Sequence, residues 1–140
     1  MAILQIKGLL LILALLSIWP WSSGQKTYQL AGSSIVPAAT ATVKVQKDKV
    51  NHNTKLDIKV RNLARPASLT PPARVYLVWA EPRGGTPARL GEIGVNKHLN
   101  AELKTVTVFT DFELLITAEQ SETATMPSGI QIFHTYISTS

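Results

Sequence analysis

The 140-residue chain is long enough for one domain, contains no cysteine and carries a formal net charge of +5. Without cysteine it forms neither disulfides nor thiolate metal centres. The charge is uneven: residues 25–74 contain nine basic and two acidic side chains, whereas residues 75–140 contain four basic and seven acidic ones. Such a split can steer an acidic partner to one side of a protein, or it can reflect lysines that coat the solvent face of strands.

The N-terminus has the pattern of a secretory signal. Lys7 precedes an unbroken apolar stretch over residues 8–16, which is shorter than the ~20 residues that span a bilayer. Pro20 then breaks the helix, and the small residues at 22–24 suit signal peptidase. We therefore predict a helical signal peptide over residues 1–24, cleavage after it, export to the periplasm or extracellular space, and no stable transmembrane span after cleavage. An uncleaved N-terminal anchor remains the alternative.

The rest of the chain predicts a leader and one all-β domain. Residues 25–40 are rich in small side chains and lack a clear period, which indicates an N-terminal leader. Residues 41–140 contain seven short apolar or alternating runs with turn signals between them. They predict an immunoglobulin-like antiparallel β-sandwich of about seven strands. The runs are residues 41–46, 54–63, 74–80, 88–96, 104–110, 112–118 and 130–137, the first two forming a hairpin.

Several of these runs carry more specific expectations. Residues 74–80 are apolar at successive positions, which is typical of a central strand covered on both faces, with Trp79 in the core and its N–H bonded. Residues 88–96 are expected to bulge at one of their glycines. Val106 and Val108 are expected to point inward, and a half-turn of helix around residues 97–104 is an open alternative.

The Gly84-Gly85 pair follows a predicted strand, where either a phosphate-binding loop or a hairpin turn can lie. A phosphate loop needs Gly-Lys-Ser/Thr before a helix, and the residues after Gly85 have neither. Gly also supplies the positive φ that tight hairpins require. The pair therefore predicts a strand, a turn and a strand.

No residue pattern indicates catalysis, and we predict no enzyme activity, no catalytic, cofactor-binding or metal residues, and no cofactor. His52, His98 and His134 are too far apart in sequence for a local metal motif, and His134 is expected to be a packed residue with one hydrogen bond. No Gly-x-Ser-x-Gly elbow is present. The carboxylates that could pair for glycan hydrolysis, although expected to be solvated, are Glu81, Glu92, Asp111, Glu113, Glu119 and Glu122.

The basic half of the chain favours an acidic partner other than nucleic acid. Nucleic-acid binding combines basic and aromatic side chains, and residues 25–74 contain only one aromatic residue, Tyr28. An anionic glycan or a lipid headgroup is the better match to the lysines.

Three segments together resemble a known family. They are "VYLVWAEPRGGTPARLGEI", "FELLITAEQSETATMPSG" and the terminal "IQIF". They resemble the extracytoplasmic C-terminal domain of anti-sigma-K (RskA-like) regulators, with Trp79, Gly84, Gly85 and Gly91 in the first segment and Glu119, Pro127 and Gly129 in the second.

The resemblance has limits. Gln120 stands where the family has Pro, and "SETAT" replaces a Gly pair. Only a signal-like segment precedes the domain here, so the family's sigma-factor binding is not carried over. The segment "LTPPARVYLVW" is also similar to one in short exported bacterial proteins of unknown function.

These observations predict a non-enzymatic, exported binding module of the bacterial cell envelope, without the sigma-binding domain. Its expected partner is another envelope protein or an anionic surface polymer; the oligomeric state is open. Two alternatives are a structural, self-assembling envelope protein and a carboxylate-based glycan hydrolase. A basic or apolar patch would favour binding, an exposed apolar edge strand would favour assembly, and two carboxylates in one cleft would favour hydrolysis.

Overall fold

Alternation of apolar and polar residues governs the chain, which forms antiparallel β-structure. The computed structural model describes residues 24–140, so the predicted signal peptide lies, except for its last residue, outside the described residues. One short 3-10 helix, Pro66–Ser68, lies in the proline-rich connection. The described strands are β1 (Gln25–Ala31), β2 (Thr40–Asp48), β3 (Asn53–Arg61), β4 (Val75–Pro82), β5 (Ala88–Ile93), β6 (Ala101–Thr107), β7 (Asp111–Glu119) and β8 (Ile130–Ser138). Within residues 24–140, no helix is long and apolar enough to cross a membrane.

The strands form two four-stranded antiparallel sheets packed as a sandwich, which confirms the predicted all-β sandwich. The first sheet has the order β1-β2-β3-β6 and the second has the order β5-β4-β7-β8. The sandwich has one strand more than the seven predicted. The additional strand is β1, whose residues the sequence pattern placed in the N-terminal leader. Only one of its residues, Leu30, is buried, so it shows no alternation, yet backbone pairing joins all seven residues to β2.

The core lies between the two sheets and is built from alternate residues of each strand. Val43 of β2 and Ile58 of β3 are register partners and fully buried. From the second sheet, Phe112 and Ile116 contribute from the predicted inner face of β7. Tyr76 is also buried there, and its hydroxyl donates to the Ala64 carbonyl at 2.6 Å. Burial raises the pKa of Tyr76 to about 12.

Strand β4 is covered on both faces, as its apolar run predicted. Its inner residues, Tyr76 among them, join the core between the sheets. Its outer residues Val75, Leu77 and Trp79 form a second apolar cluster with Leu115 of β7, here called the outer cluster. Trp79 is therefore buried as expected, but in the outer cluster and not between the sheets.

The Gly84-Gly85 pair turns the chain between β4 and β5, as predicted. Gly84 has a φ of +70°, and the Gly85 amide donates to the Pro82 carbonyl at 3.0 Å. The expected bulge lies further along β5: Val78 pairs with Gly91 while Trp79 pairs with Arg89, which leaves one extra residue on β5.

For the segment around β6, the expected inward valines and the open alternative of a helical half-turn are both wrong. Val106 and Val108 are 49% and 75% exposed, and Thr107 is buried in their place. The inward side of β6 is set by Leu103, which packs against the core, so every second residue from it points inward. Residues 97–104 contain no helical half-turn, because Leu99 adopts a φ of +62° in a turn and β6 begins at Ala101.

Hydrogen bonds across the corners of the sandwich join the edge strands of the two sheets. The Thr105 hydroxyl of β6 donates to the Leu90 carbonyl of β5 at 3.2 Å. On the other side, the Lys26 ammonium of β1 donates to the Ser138 carbonyl of β8 at 2.9 Å. The two sheet faces that point away from the core are therefore the broad surfaces left for partners.

Candidate binding site on the outer face of the first sheet

The alternation that buries the apolar residues of the first sheet places its basic residues on the opposite face. In β3, Leu56 and Ile58 are buried, while Lys55 and Lys59, which flank them, are exposed. The same alternation puts Lys44 of β2 and Lys104 of β6 on this outer face. We call the four residues Lys44, Lys55, Lys59 and Lys104 the lysine ring.

Asp57 occupies the centre of the lysine ring. It pairs in register with Lys44 on one side and Lys104 on the other. Lys55 and Lys59 lie two residues before and after it on the same face of β3. The outer strands that carry Lys44 and Lys104 are roughly 10 Å apart, given a strand spacing of about 4.8 Å.

The Asp57 carboxylate is not satisfied within residues 24–140. Its Oδ1 atom is enclosed and has no hydrogen-bond partner in the described part of the chain. Salt bridges on this face link other groups: the Lys55 ammonium lies 3.6 Å from the Asp48 carboxylate, and the Lys104 ammonium lies 4.0 Å from that of Glu102. Both pairs are largely solvated on the lysine side, so each is weak and screened by salt and leaves the lysine available to a ligand.

A groove of about 510 Å³ runs across this face. Three members of the lysine ring line it, together with Asp57 and with polar side chains that both donate and accept hydrogen bonds. The lining residues are Gln25, Lys44, Gln46, Lys55, Leu56, Asp57, Lys104, Thr105 and Val106. This groove, here called the lysine groove, combines cations, amides and one carboxylate in a single surface.

The two sheets carry opposite charge. The strands of the first sheet hold seven basic and three acidic residues, a net of +4. The strands of the second sheet hold one basic and five acidic residues, a net of −4. The asymmetry between the two halves of the sequence thus becomes an asymmetry between the two faces of the sandwich, with β6 as the strand of the second half that joins the basic sheet.

On the outer face of the second sheet, two carboxylates lie side by side. Glu81 of β4 and Glu113 of β7 are register partners, which places their Cβ atoms about 5 Å apart. Both line a shallow cavity of about 420 Å³ with Tyr136 and the Gly84-Gly85 turn. Of the six carboxylates singled out from the sequence, these two are brought together.

The other four carboxylates lie apart. Glu92 is on the edge strand β5 opposite Leu77. Asp111 accepts a hydrogen bond from the Ser138 hydroxyl at 2.6 Å, which holds the pKa of Asp111 below its usual value. Glu122 is exposed in the segment between β7 and β8, and Glu119 is buried.

Glu119 corrects the expectation that these carboxylates are solvated, because it is 1% exposed. The amide of Gly129 donates to its Oε2 at 3.1 Å and the hydroxyl of Ser128 donates to its Oε1 at 2.9 Å. The Thr117 hydroxyl also donates to Glu119, and in turn accepts the Trp79 indole N–H at 2.9 Å. Burial raises the pKa of Glu119, but these hydrogen bonds together outweigh it and hold the pKa below its ordinary value.

This buried carboxylate fastens the segment between β7 and β8 to the sheet. Ala124 of that segment packs against the outer cluster. Gly129 passes so close to β7 that a Cβ on it would lie 1.8 Å from the Ala118 carbonyl oxygen. Glu119 therefore has a structural role, and its acceptor sites are filled.

The histidines do not assemble. His52 lies in the turn between β2 and β3 with a φ of 57°, and His98 lies in the turn before β6. His134 is not a packed residue: its side chain is 51% exposed, and its Nδ1 lies 3.5 Å from the Glu113 carboxylate. Among residues 24–140, no group of three His, Asp or Glu side chains is placed to hold a metal ion.

The lysine ring could be foreseen in part from the sequence. The run "KLDIKVR" places Lys55, Asp57, Lys59 and Arg61 on one side of a strand by alternation alone. The positions of Lys44 and Lys104 in the ring depend on the register of β2 and β6 against β3, which local sequence does not specify. Because Val106 and Val108 were predicted to point inward, Lys104, which lies on the same side of β6, was not predicted to be part of this surface.

No protein-family model matches this chain, and no curated protein is significantly similar to it.

Proposed function

We propose that this chain is a non-enzymatic binding module of the bacterial cell envelope, and that the lysine groove binds an acidic polymer of the cell surface. The observation that carries the proposal is the lysine ring: four ammonium groups arranged across three strands, with one carboxylate between them and a groove above. Several cations spread over a flat sheet suit an extended ligand with repeated acid groups, because each contact alone is weak and screened by salt.

Export supports a surface polymer as the partner. The signal-like N-terminus directs the chain out of the cytoplasm. Outside the cytoplasm, acidic polysaccharides and polyol phosphates are accessible to it. Nucleic acid is a poorer match, because the described residues that line the lysine groove include no aromatic side chain on which a base could stack.

We infer in addition that the sandwich is immunoglobulin-like. In that topology one sheet has the order G-F-C-C′ and the other places strands A, B and E side by side. The order β8-β7-β4-β5 matches the first, and β2-β3-β6 matches the second, with β1 added beyond β2. This agreement of strand order supports the inference.

The resemblance to the outer domain of anti-sigma-K regulators is retained as part of the proposal. Trp79, Glu119 and Gly129, which come from two of the similar segments, belong to one hydrogen-bonded network here. The similar segments thus form one structural unit, which supports a shared fold. Sigma-factor binding is not part of the proposal.

The proposal is tested by measuring the affinity of the full-length chain for polygalacturonate, an acidic polysaccharide, at increasing salt. We expect saturable binding that weakens as salt rises, and at least a fivefold loss of affinity in Lys44→Glu. The matched control is Arg83→Glu, which makes the same charge change at an exposed turn of the second sheet. Absence of saturable binding, or equal losses in the two variants, would overturn the proposal.

A second candidate function, glycan hydrolysis, is favoured by one observation: the Glu81–Glu113 pair in a cavity with Tyr136. Retaining hydrolysis uses two carboxyl groups about 5–5.5 Å apart. Release of reducing ends from a polysaccharide by the full-length chain, abolished in Glu113→Gln, would establish this activity. Turnover that persists in Glu113→Gln, or none in the unmodified chain, would exclude that pair as its source.

Exposed valines at an edge strand favour a self-assembling structural role. Val106 is exposed on the edge strand β6, and Val108 is exposed just beyond it. Exposed apolar edge strands favour pairing with another chain. Lys104 on the same strand opposes such pairing, since lysine is a common guard of sheet edges.

A further inference from the structure

We propose that the acidic ligand of the lysine groove is a polyhydroxylated one, a glycan that carries acid groups, and that Asp57 accepts a hydrogen bond from a ligand hydroxyl. This inference rests on the proposed function and specifies the ligand class of the same site. It starts from an anomaly: a carboxylate lies at the centre of a surface otherwise arranged for anions.

For a ligand made only of acid groups, Asp57 is unfavourable. A polyphosphate chain laid across Lys44 and Lys104 would place its negative charge directly over the Asp57 carboxylate. The two negative charges would repel each other. A polyanion site would be stronger with a neutral residue at this position. The carboxylate therefore indicates a ligand that brings a donor to the centre of the ring.

The state of the Asp57 carboxylate agrees with such a ligand. Its Oδ1 atom is enclosed and unpartnered within the described residues, so a ligand hydroxyl would reach the carboxylate through Oδ2. No salt bridge joins the group to any of the four lysines there. A carboxylate without hydrogen bonds is stabilised by a hydroxyl donor, and hydrogen bonds to charged groups are stronger than those between neutral groups.

The neighbours of Asp57 in the lysine groove are suited to hydroxyls as well. Gln25 and Gln46 are register partners on β1 and β2, and both line the lysine groove. Amide side chains both donate and accept, as the hydroxyls of a sugar do. Acid groups of the glycan would contact Lys44, Lys55 and Lys104, and its hydroxyls would contact Asp57 and the amides.

The test compares two polymers on the full-length chain: polygalacturonate, which has hydroxyls, and inorganic polyphosphate, which has them only at its ends. The readout is the ratio of the two affinities, so that a general change in surface charge cancels. In Asp57→Asn, we expect polyphosphate to bind at least twofold tighter, and the affinity ratio of polygalacturonate to polyphosphate to fall at least fivefold.

The matched control is Glu102→Gln, which removes an exposed carboxylate from the same face outside the lysine groove. It should strengthen binding of both polymers by the same factor and leave the ratio unchanged. If Asp57→Asn behaves like Glu102→Gln, Asp57 is only a charge and the inference fails while the proposed function stands. If the unmodified chain binds neither polymer, the proposed function itself fails.

A second variant makes the result independent of charge. Gln46→Ala removes an amide from the lysine groove without altering net charge, and it should weaken polygalacturonate binding at least threefold with no effect on polyphosphate. An equal loss for both polymers would contradict the inference. Thermal unfolding followed by circular dichroism verifies that each variant is folded before its affinity is compared.

Discussion

Replacing Glu119 by alanine tests the role of the buried carboxylate most directly. The change removes the acceptor of hydrogen bonds from Thr117, Ser128 and Gly129, and leaves the buried Thr117 hydroxyl and the part-buried donors of Ser128 and Gly129 unpaired. A hydrogen bond to a charged group contributes ~1.5–3 kcal/mol, and a buried donor left without its partner costs ~1–3 kcal/mol. Because the hydroxyls can rotate to other acceptors but the Gly129 amide cannot, we expect the free energy of unfolding to fall by about 3 kcal/mol.

The assay is equilibrium urea denaturation followed by circular dichroism at neutral pH. Glu122→Ala is the matched control, since Glu122 is exposed three residues along the same segment and should change stability by less than ~0.5 kcal/mol. Glu119→Gln, which keeps the shape and one carbonyl acceptor, should lie between them at about 1–2 kcal/mol. A loss below 0.5 kcal/mol in Glu119→Ala, on the order of the control, would refute the argument that this carboxylate fastens the segment.

The pH dependence of the same comparison has a defined sign. The pKa of Glu119 is lowered in the folded protein, so its charged form stabilises the fold at neutral pH. This contribution declines as the pH falls below the ordinary glutamate pKa of about 4.3 and is lost below the folded pKa. Asp48 and Asp111 also have lowered pKa values, so the acid-induced loss in the unmodified chain is a sum. The difference between the unmodified chain and Glu119→Gln isolates the Glu119 term and should shrink on acidification. A constant difference between pH 7 and acid would contradict the assignment.

Three further predictions follow from the packing. Trp79→Phe should lower the free energy of unfolding by about 1–2 kcal/mol, measured in urea, since a smaller aromatic ring is kept and the indole donor is lost. Trp79→Ala should lower it by ~3–5 kcal/mol, and a loss below ~1 kcal/mol in the alanine variant would contradict the burial of Trp79. Gly129→Ala should lower the melting temperature sharply, because the added Cβ would overlap the neighbouring strand, whereas Gly94→Ala, where the space is open, should not; equal effects would disprove the close approach. Val106→Thr should change stability by less than ~0.5 kcal/mol while Leu103→Ala costs ~2–3 kcal/mol, and the reverse order would restore the inward orientation first predicted for the valine.

Strand positions were predictable wherever one face is buried and the other is solvated. The hairpin of β2 and β3 and the inner face of β7 follow directly from alternation, because each has a continuous apolar side. The strand β4 was recognised as central because its apolar residues occupy both faces. Where alternation was weak, the prediction failed: β1 buries a single residue, and in β6 the exposed valines outweighed the single inward leucine.

The candidate site was predictable only to the level of single strands. Alternation placed Lys55, Asp57 and Lys59 on one face, but the addition of Lys44 and Lys104 depends on which strands pair and in which register. Likewise, nothing local marked Glu119 as buried, since its outward position in β7 is ordinarily solvated. Its burial is a consequence of the following segment folding back over the sheet, an arrangement set by contacts ten residues apart.

The outer cluster gives the molecule two nested opening reactions. Release of the segment between β7 and β8 would uncover Trp79 and its neighbours while both sheets stay paired, whereas separation of the sheets requires global unfolding. Amide protons of the segment are thus governed by the smaller opening, and those of β4, paired on both sides and covered on both faces, by the larger one. In native-state hydrogen exchange the sandwich would therefore behave as two cooperative units that share the strand β4.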